Sequence, residues 1–177
     1  MSPSETSSAP RYNFEWADIG DLTQGRPNLG DETSVAVYRL MQYTFRETLC
    51  REFGQEKSVE IFIQAGKLAG KAFCQNLLDT SLPLENFLSA LEKILISLKI
   101  GILRFEKTDL TKMEFILTLD EDLDCSGLPI FNDTICDYDE GFIAGIFEGY
   151  TGQPFSATEI DCWATGGRTC RFKVAPQ

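Results

Sequence analysis

Four residues near the C-terminus could bind a metal: Cys136, Glu159, Cys162 and Cys170. Three thiolates and one carboxylate are a sufficient ligand set for a tetrahedral zinc ion. The chain has no histidine, which excludes Ser-His and Cys-His catalysis and any imidazole-ligated zinc or haem. Cys162 and Cys170 flank the segment WATGGRT. A three-residue loop at Thr165-Gly166-Gly167 would set the two cysteines opposite each other on one face of a hairpin. Cys136 precedes an acidic helix start, where unpaired N–H groups favour a thiolate. Glu159 lies three residues before Cys162, and in a regular strand that spacing points it to the wrong face, so it can ligate only across a bulge. Cys125 is a fifth candidate, or a substitute for Glu159. The spacing alone also leaves open a Cys162–Cys170 redox pair, or six reduced cysteines packed as small hydrophobes.

The elements that must position these residues follow from periodicity. Residues 1–30 are rich in Ser, Pro and Gly and read as a flexible N-terminal arm, with one domain over 31–177. Val37, Met41, Phe45 and Leu49 recur every four residues and predict one apolar stripe on a first helix, which Gly54 stops. A second helix is expected over 57–78, with Gly66 and Gly70 allowing close approach by another helix. Ser81 is the expected N-cap of a third helix, with Pro83 in its first turn. Residues 100–107 and 112–119 read as a hairpin. A fourth helix over 137–150 carries a small-residue edge of Gly141, Gly145 and Gly149, and strands near 155–164 and 168–174 close the chain. Grouped in this way, the elements predict an α+β fold with helices packed on an antiparallel sheet.

The net charge of −11 disfavours direct binding to nucleic acid or to an anionic membrane. No apolar run is long enough for membrane insertion, the polar N-terminus lacks a secretory pattern, and the expected location is cytoplasmic. Asp120, Asp122 and Asp124 lack the glycine and glutamate of a calcium loop and read as a solvated acidic loop. Phe62, Phe73, Phe87, Phe105 and Phe115, with Leu91 and Leu95, fall on expected buried faces. They mainly build the core, and they are the candidate walls of any pocket for an apolar or aromatic ligand.

The segments Gly141–Ala144, Glu159-x₂-Cys162-Trp163 and Gly167-x₂-Cys170-x-Phe172, with LGDETSVAVYRLMQYTF at the first helix, resemble the 4-vinyl reductase domain family. The resemblance implies the fold shared by nitric-oxide sensor domains and TRAPP trafficking subunits (nitric-oxide signalling/Golgi transport ligand-binding-like). It also implies a structural zinc ion on Cys136, Glu159, Cys162 and Cys170, a homodimer formed through helices, and a small hydrophobic ligand. The histidine and tryptophan that hold phenol in the family's sensors do not carry over to a chain without histidine. The reading that results is a non-enzymatic small-molecule sensor. The alternatives are an enzyme or accessory in tetrapyrrole vinyl-group reduction, for which no dinucleotide fingerprint is present, and an assembly scaffold like the trafficking subunits.

Overall fold

A computed structural model describes residues 12–177, so the first eleven residues of the expected arm lie outside the described residues. Thr33–Gln177 forms one compact unit and the described residues before it belong to another. The earlier unit holds a 3₁₀ turn, Trp16–Ile19, and a single α-turn, α1 (Leu22–Gly25), capped by the Asp21 carboxylate, which accepts from the Gln24 amide.

The larger unit runs α2 (Val35–Phe53), α3 (Gln55–Leu77), α4 (Leu84–Ser97), β1 (Ile102–Asp109), β2 (Glu114–Asp120), α5 (Asp137–Thr151), β3 (Phe155–Asp161) and β4 (Cys170–Pro176). The strands form one antiparallel sheet in the order β1-β2-β4-β3. Strand alternation sends Phe115, Leu117 and Leu119 of β2 and Cys170, Phe172 and Val174 of β4 to one buried face. The register sets Leu119 beside Cys170 and Leu117 beside Phe172. Helices cover that face, where Phe147 of α5 stacks between Phe115 and Phe155. This is the expected α+β architecture.

The helix α4 begins later than its expected cap. Ser81 turns back instead, its amide and hydroxyl both donating to Asp79 Oδ1, and Pro83 takes the cap position with a preset φ of −53°.

The expected close approach at Gly66 and Gly70 occurs inside the chain, between α3 and α5. A methyl group on Gly70 would stand 2.8 Å from the carbonyl carbon of Phe142 and 3.0 Å from the Ile146 nitrogen. Gly141 is equally tight against the backbone of α3. The two helices therefore touch main chain to main chain.

The expected stripe on α2 lies differently. Leu49 is buried, but Val37, Met41 and Phe45 are 58%, 66% and 55% exposed. The side of α2 that faces the rest of the fold is polar: Tyr38, Arg39, Gln42 and Arg46 all hydrogen-bond to residues 122–137. Directional bonds, not apolar burial, set the rotation of this helix.

Candidate metal centre

The four thiols of Cys125, Cys136, Cys162 and Cys170 converge, every ligand atom lying within 4.8 Å of the others, and all four residues are buried. Each comes from a different place in the fold. Cys170 opens β4 on its inward face. Cys136 is the N-cap of α5. Cys162 directly follows β3 and starts a 3₁₀ turn, Trp163–Thr165, that closes the hairpin in place of a tight loop. Cys125 sits in the loop after β2, which is pinned by the Leu123 amide donating to the Ile100 carbonyl.

Cys136 Sγ is 3.9 Å from Cys162 Sγ and 3.8 Å from Cys170 Sγ. Two sulfurs each about 2.3 Å from one tetrahedral ion stand about 3.8 Å apart, so these spacings suit a metal. Cys125 and Cys170 are closer, at 3.0 Å, and all six cysteines are free. Hydrogen bonds from the Cys125, Cys136 and Cys170 thiols hold the Cys162 sulfur well below the usual thiol range, while the other three thiols are held above it. The cluster thus already favours a thiolate, the form a metal requires. A buried group of four sulfurs of this kind could hold a metal ion.

The bulge that Glu159 needs is present: the β3 register shifts between Glu159 and Asp161. It turns Glu159 inward to 7% exposure. Its Oε2 accepts the Cys136 amide at 3.0 Å and its Oε1 is buried without a partner. Burial and the nearby Cys162 push its pKa up to about 8. The structure therefore places Glu159 at the shoulder of the cluster, bonded to the backbone of one thiol residue, while Cys125 stands among the thiols.

The loop expected to be solvated is not. Asp122 and Asp124 are 2% and 3% exposed. Tyr38 and Gln42 of α2 donate to the two Asp124 carboxylate oxygens, at 2.7 and 2.5 Å. The Tyr43 hydroxyl donates to the Asp124 carbonyl, and Arg39 donates to the carbonyls of Asp122, Leu123 and Ser126. Burial, then the Asp122 charge, pushes the Asp124 pKa up to about 6. Asp139, in the first turn of α5, is raised well above the carboxylate range by burial and by Asp122 and Asp124. These acids escaped the sequence reading because exposed aspartates dominate loops, and only the polar face of α2 could have betrayed their burial.

The seven candidate pocket residues do not share one cavity. Leu91 and Leu95 line a cavity of about 20 Å³ between α4, the sheet and α5, with Asp139 on its wall. Phe87 stacks on Tyr150, Phe115 on Phe147, and Phe105 packs edge-on to Phe115. Phe73 packs on Phe142. Phe62 lines a separate open groove of about 350 Å³ with Tyr38, Phe45, Ile61 and Tyr138. Among the described residues no helix is long and apolar enough to cross a membrane.

Fold and site together define an α+β domain whose last hairpin is tied to a helix by clustered thiols. Residues 115–176 match the vinyl-4-reductase domain, and this part of the chain belongs to that family. The whole fold resembles a vinyl-4-reductase family protein from Methanocaldococcus jannaschii, with a TM-score of 0.60 and 16% identity, over 96% of this chain and 99% of that one. It also resembles the phenol-responsive sensory domain of the transcription activator PoxR, solved with phenol, with a TM-score of 0.60 and 13% identity, over 81% of this chain and 75% of that one. A trafficking protein particle complex subunit 3 from Naegleria fowleri, covalently bound to palmitic acid, matches with a TM-score of 0.62 and 9% identity, over 81% and 95% of the two chains. The expected kinship of sensor and trafficking folds thus holds.

Proposed function

We propose that this chain is a non-enzymatic domain that binds a small hydrophobic or aromatic molecule and carries a structural zinc ion. The observation that carries the reading is the buried four-thiol cluster, which joins the loop after β2, the start of α5 and the closing hairpin. Zinc suits four sulfurs in a closed, tetrahedral shell that leaves no position for substrate. Cys136, Cys162 and Cys170 are three ligands; Cys125 supplies the fourth, and Glu159 orients Cys136 through its amide. The ligand domain begins near residue 31.

The groove lined by Tyr38, Phe45, Ile61, Phe62 and Tyr138 supplies a ligand site of ordinary volume with aromatic walls. The phenol-sensing neighbour favours an aromatic ligand. Gln42 and Tyr38 join this groove to Asp124, next to Cys125, so occupancy can bias the metal loop. The exposed Val37, Leu40 and Met41 of α2 form an apolar strip that a second copy of the chain would cover, giving a homodimer. Free buried thiols suit a reducing cytoplasm, and the acidic charge argues against direct contact with nucleic acid.

Metal analysis of protein purified without chelator tests the core of this reading. About one tightly held zinc per chain is expected, together with a rise in melting temperature on adding phenol. Metal-free, fully folded protein that no apolar compound stabilises would refute it.

A further inference from the structure

Beside the four thiols lies a second set of ligand atoms, from Asp122, Cys136 and Asp139, again all within 4.8 Å of one another. Cys136 belongs to both sets. Asp122 Oδ2 is 3.7 Å from Cys136 Sγ. An oxygen about 2.1 Å and a sulfur about 2.3 Å from one tetrahedral ion would stand about 3.6 Å apart, so this pair already has the spacing of two ligands on one cation.

Asp139 supplies an independent sign that something is missing. It is 6% exposed and its Oδ2 is buried with no hydrogen-bond partner. A buried carboxylate oxygen without a partner is costly and calls for a cation or a proton donor. The nearby guanidinium groups are committed elsewhere: Arg39 donates to backbone carbonyls, and Arg46 pairs with Asp137. Asp122 receives the Asp124 amide on Oδ1, which leaves Oδ2 facing the Cys125 and Cys136 thiols. The pocket is lined with negative groups and, among the described residues, no side-chain cation enters it.

We propose that Asp122, Cys136 and Asp139 form a second divalent-cation site, joined to the four-thiol centre through a bridging Cys136 thiolate. The inference rests on the metal reading of the four thiols, since Cys136 serves both ions. Two carboxylates and one thiolate suit a borderline ion of the zinc class more than calcium or magnesium, which take oxygen-only shells. Three protein ligands leave a fourth position. Asp139 also borders the cavity of about 20 Å³, which has room for about one water molecule. The second ion is therefore held more weakly than the first and has a ligand position to spare.

Equilibrium dialysis against excess zinc, followed by metal counting, tests the site. The unaltered chain should hold about two zinc ions, one of them lost to mild chelation, and Asp139→Asn and Asp122→Asn should each hold about one. About one zinc in the unaltered chain, or about two in Asp139→Asn, overturns the second site and leaves the four-thiol reading standing. No zinc at all overturns both. Cadmium-113 NMR of the unaltered chain does not depend on the variants folding. Two resonances are expected, one at the deshielded position of all-sulfur coordination and one shifted by carboxylate ligands, and a single all-sulfur resonance at saturating cadmium overturns the proposal.

Discussion

Replacing Gly70 with alanine pits helix propensity against packing. Alanine is the better helix former by about 1 kcal/mol, so on local grounds Gly70→Ala should stabilise α3. The structure predicts the opposite sign. The added methyl would stand 2.8 Å from the Phe142 carbonyl carbon and 3.0 Å from the Ile146 nitrogen, both backbone atoms of α5. Carbon contacts relax at about 3.5–4.0 Å, so the helices must part by roughly 1 Å at this crossing. No rotamer change relieves a clash with main chain. Parting would loosen Phe73 against Phe142, whose rings meet at 5.1 Å. Overpacking of this kind costs about 1–3 kcal/mol or somewhat more. The upper part of that range applies here, since both opposing atoms are backbone, and after the propensity gain a net loss of about 2 kcal/mol remains. For a domain of this size that is a fall in melting temperature of about 4–8 °C. Urea and thermal melts of the two proteins, with bound metal held constant, provide the assay. A rise of a few degrees would mean that the two backbones do not touch there.

The remaining predictions concern the site and its supports. Cys125→Ser should lose the tightly held zinc as completely as Cys162→Ser, while Glu159→Gln keeps most of it; equal loss in Glu159→Gln would put that carboxylate in the metal shell. Tyr38→Phe removes a bond to the buried Asp124 carboxylate and should lower stability by about 1.5–3 kcal/mol in denaturant melts, and an unchanged midpoint would show that the bond contributes nothing. Glu148 is pushed up by burial but pulled further down by Lys67 and by the Phe155 amide, so its pKa lies below the usual value. Its stabilising contribution is therefore present above the ordinary glutamate pKa and fades as pH falls below it, and the stability gap between native protein and Glu148→Gln should shrink between about pH 6 and about pH 3, across the ordinary glutamate range. Burial raises the Cys74 pKa to about 11, so metal-free protein treated with iodoacetamide at about pH 8 should label the partly exposed Cys50 well before Cys74; equal rates would mean that α3 opens there.

Much of this protein was legible in one dimension. Apolar repeats located α3 and α5, alternation located the strands, and the small-residue edges at Gly66, Gly70 and Gly141 marked a close crossing, because each of these signals is local and periodic. The association of Cys136, Cys162 and Cys170 was also visible, through spacing and family likeness. Three features were decided only by the tertiary structure. The Val37-Met41-Phe45 stripe looked like a buried face, but α2 is docked by hydrogen bonds from Tyr38, Arg39 and Gln42 to the loop after β2, and directional bonds leave no periodic trace. Asp122 and Asp124 looked like solvent-facing acids, and their burial depends on that same docking. Cys125 had nothing but proximity in its favour until the loop, pinned to the Ile100 carbonyl, carried it in among three thiols from distant segments. A helix or strand states its own period, whereas a metal centre is assembled from pieces whose meeting is fixed by the packing of everything between them.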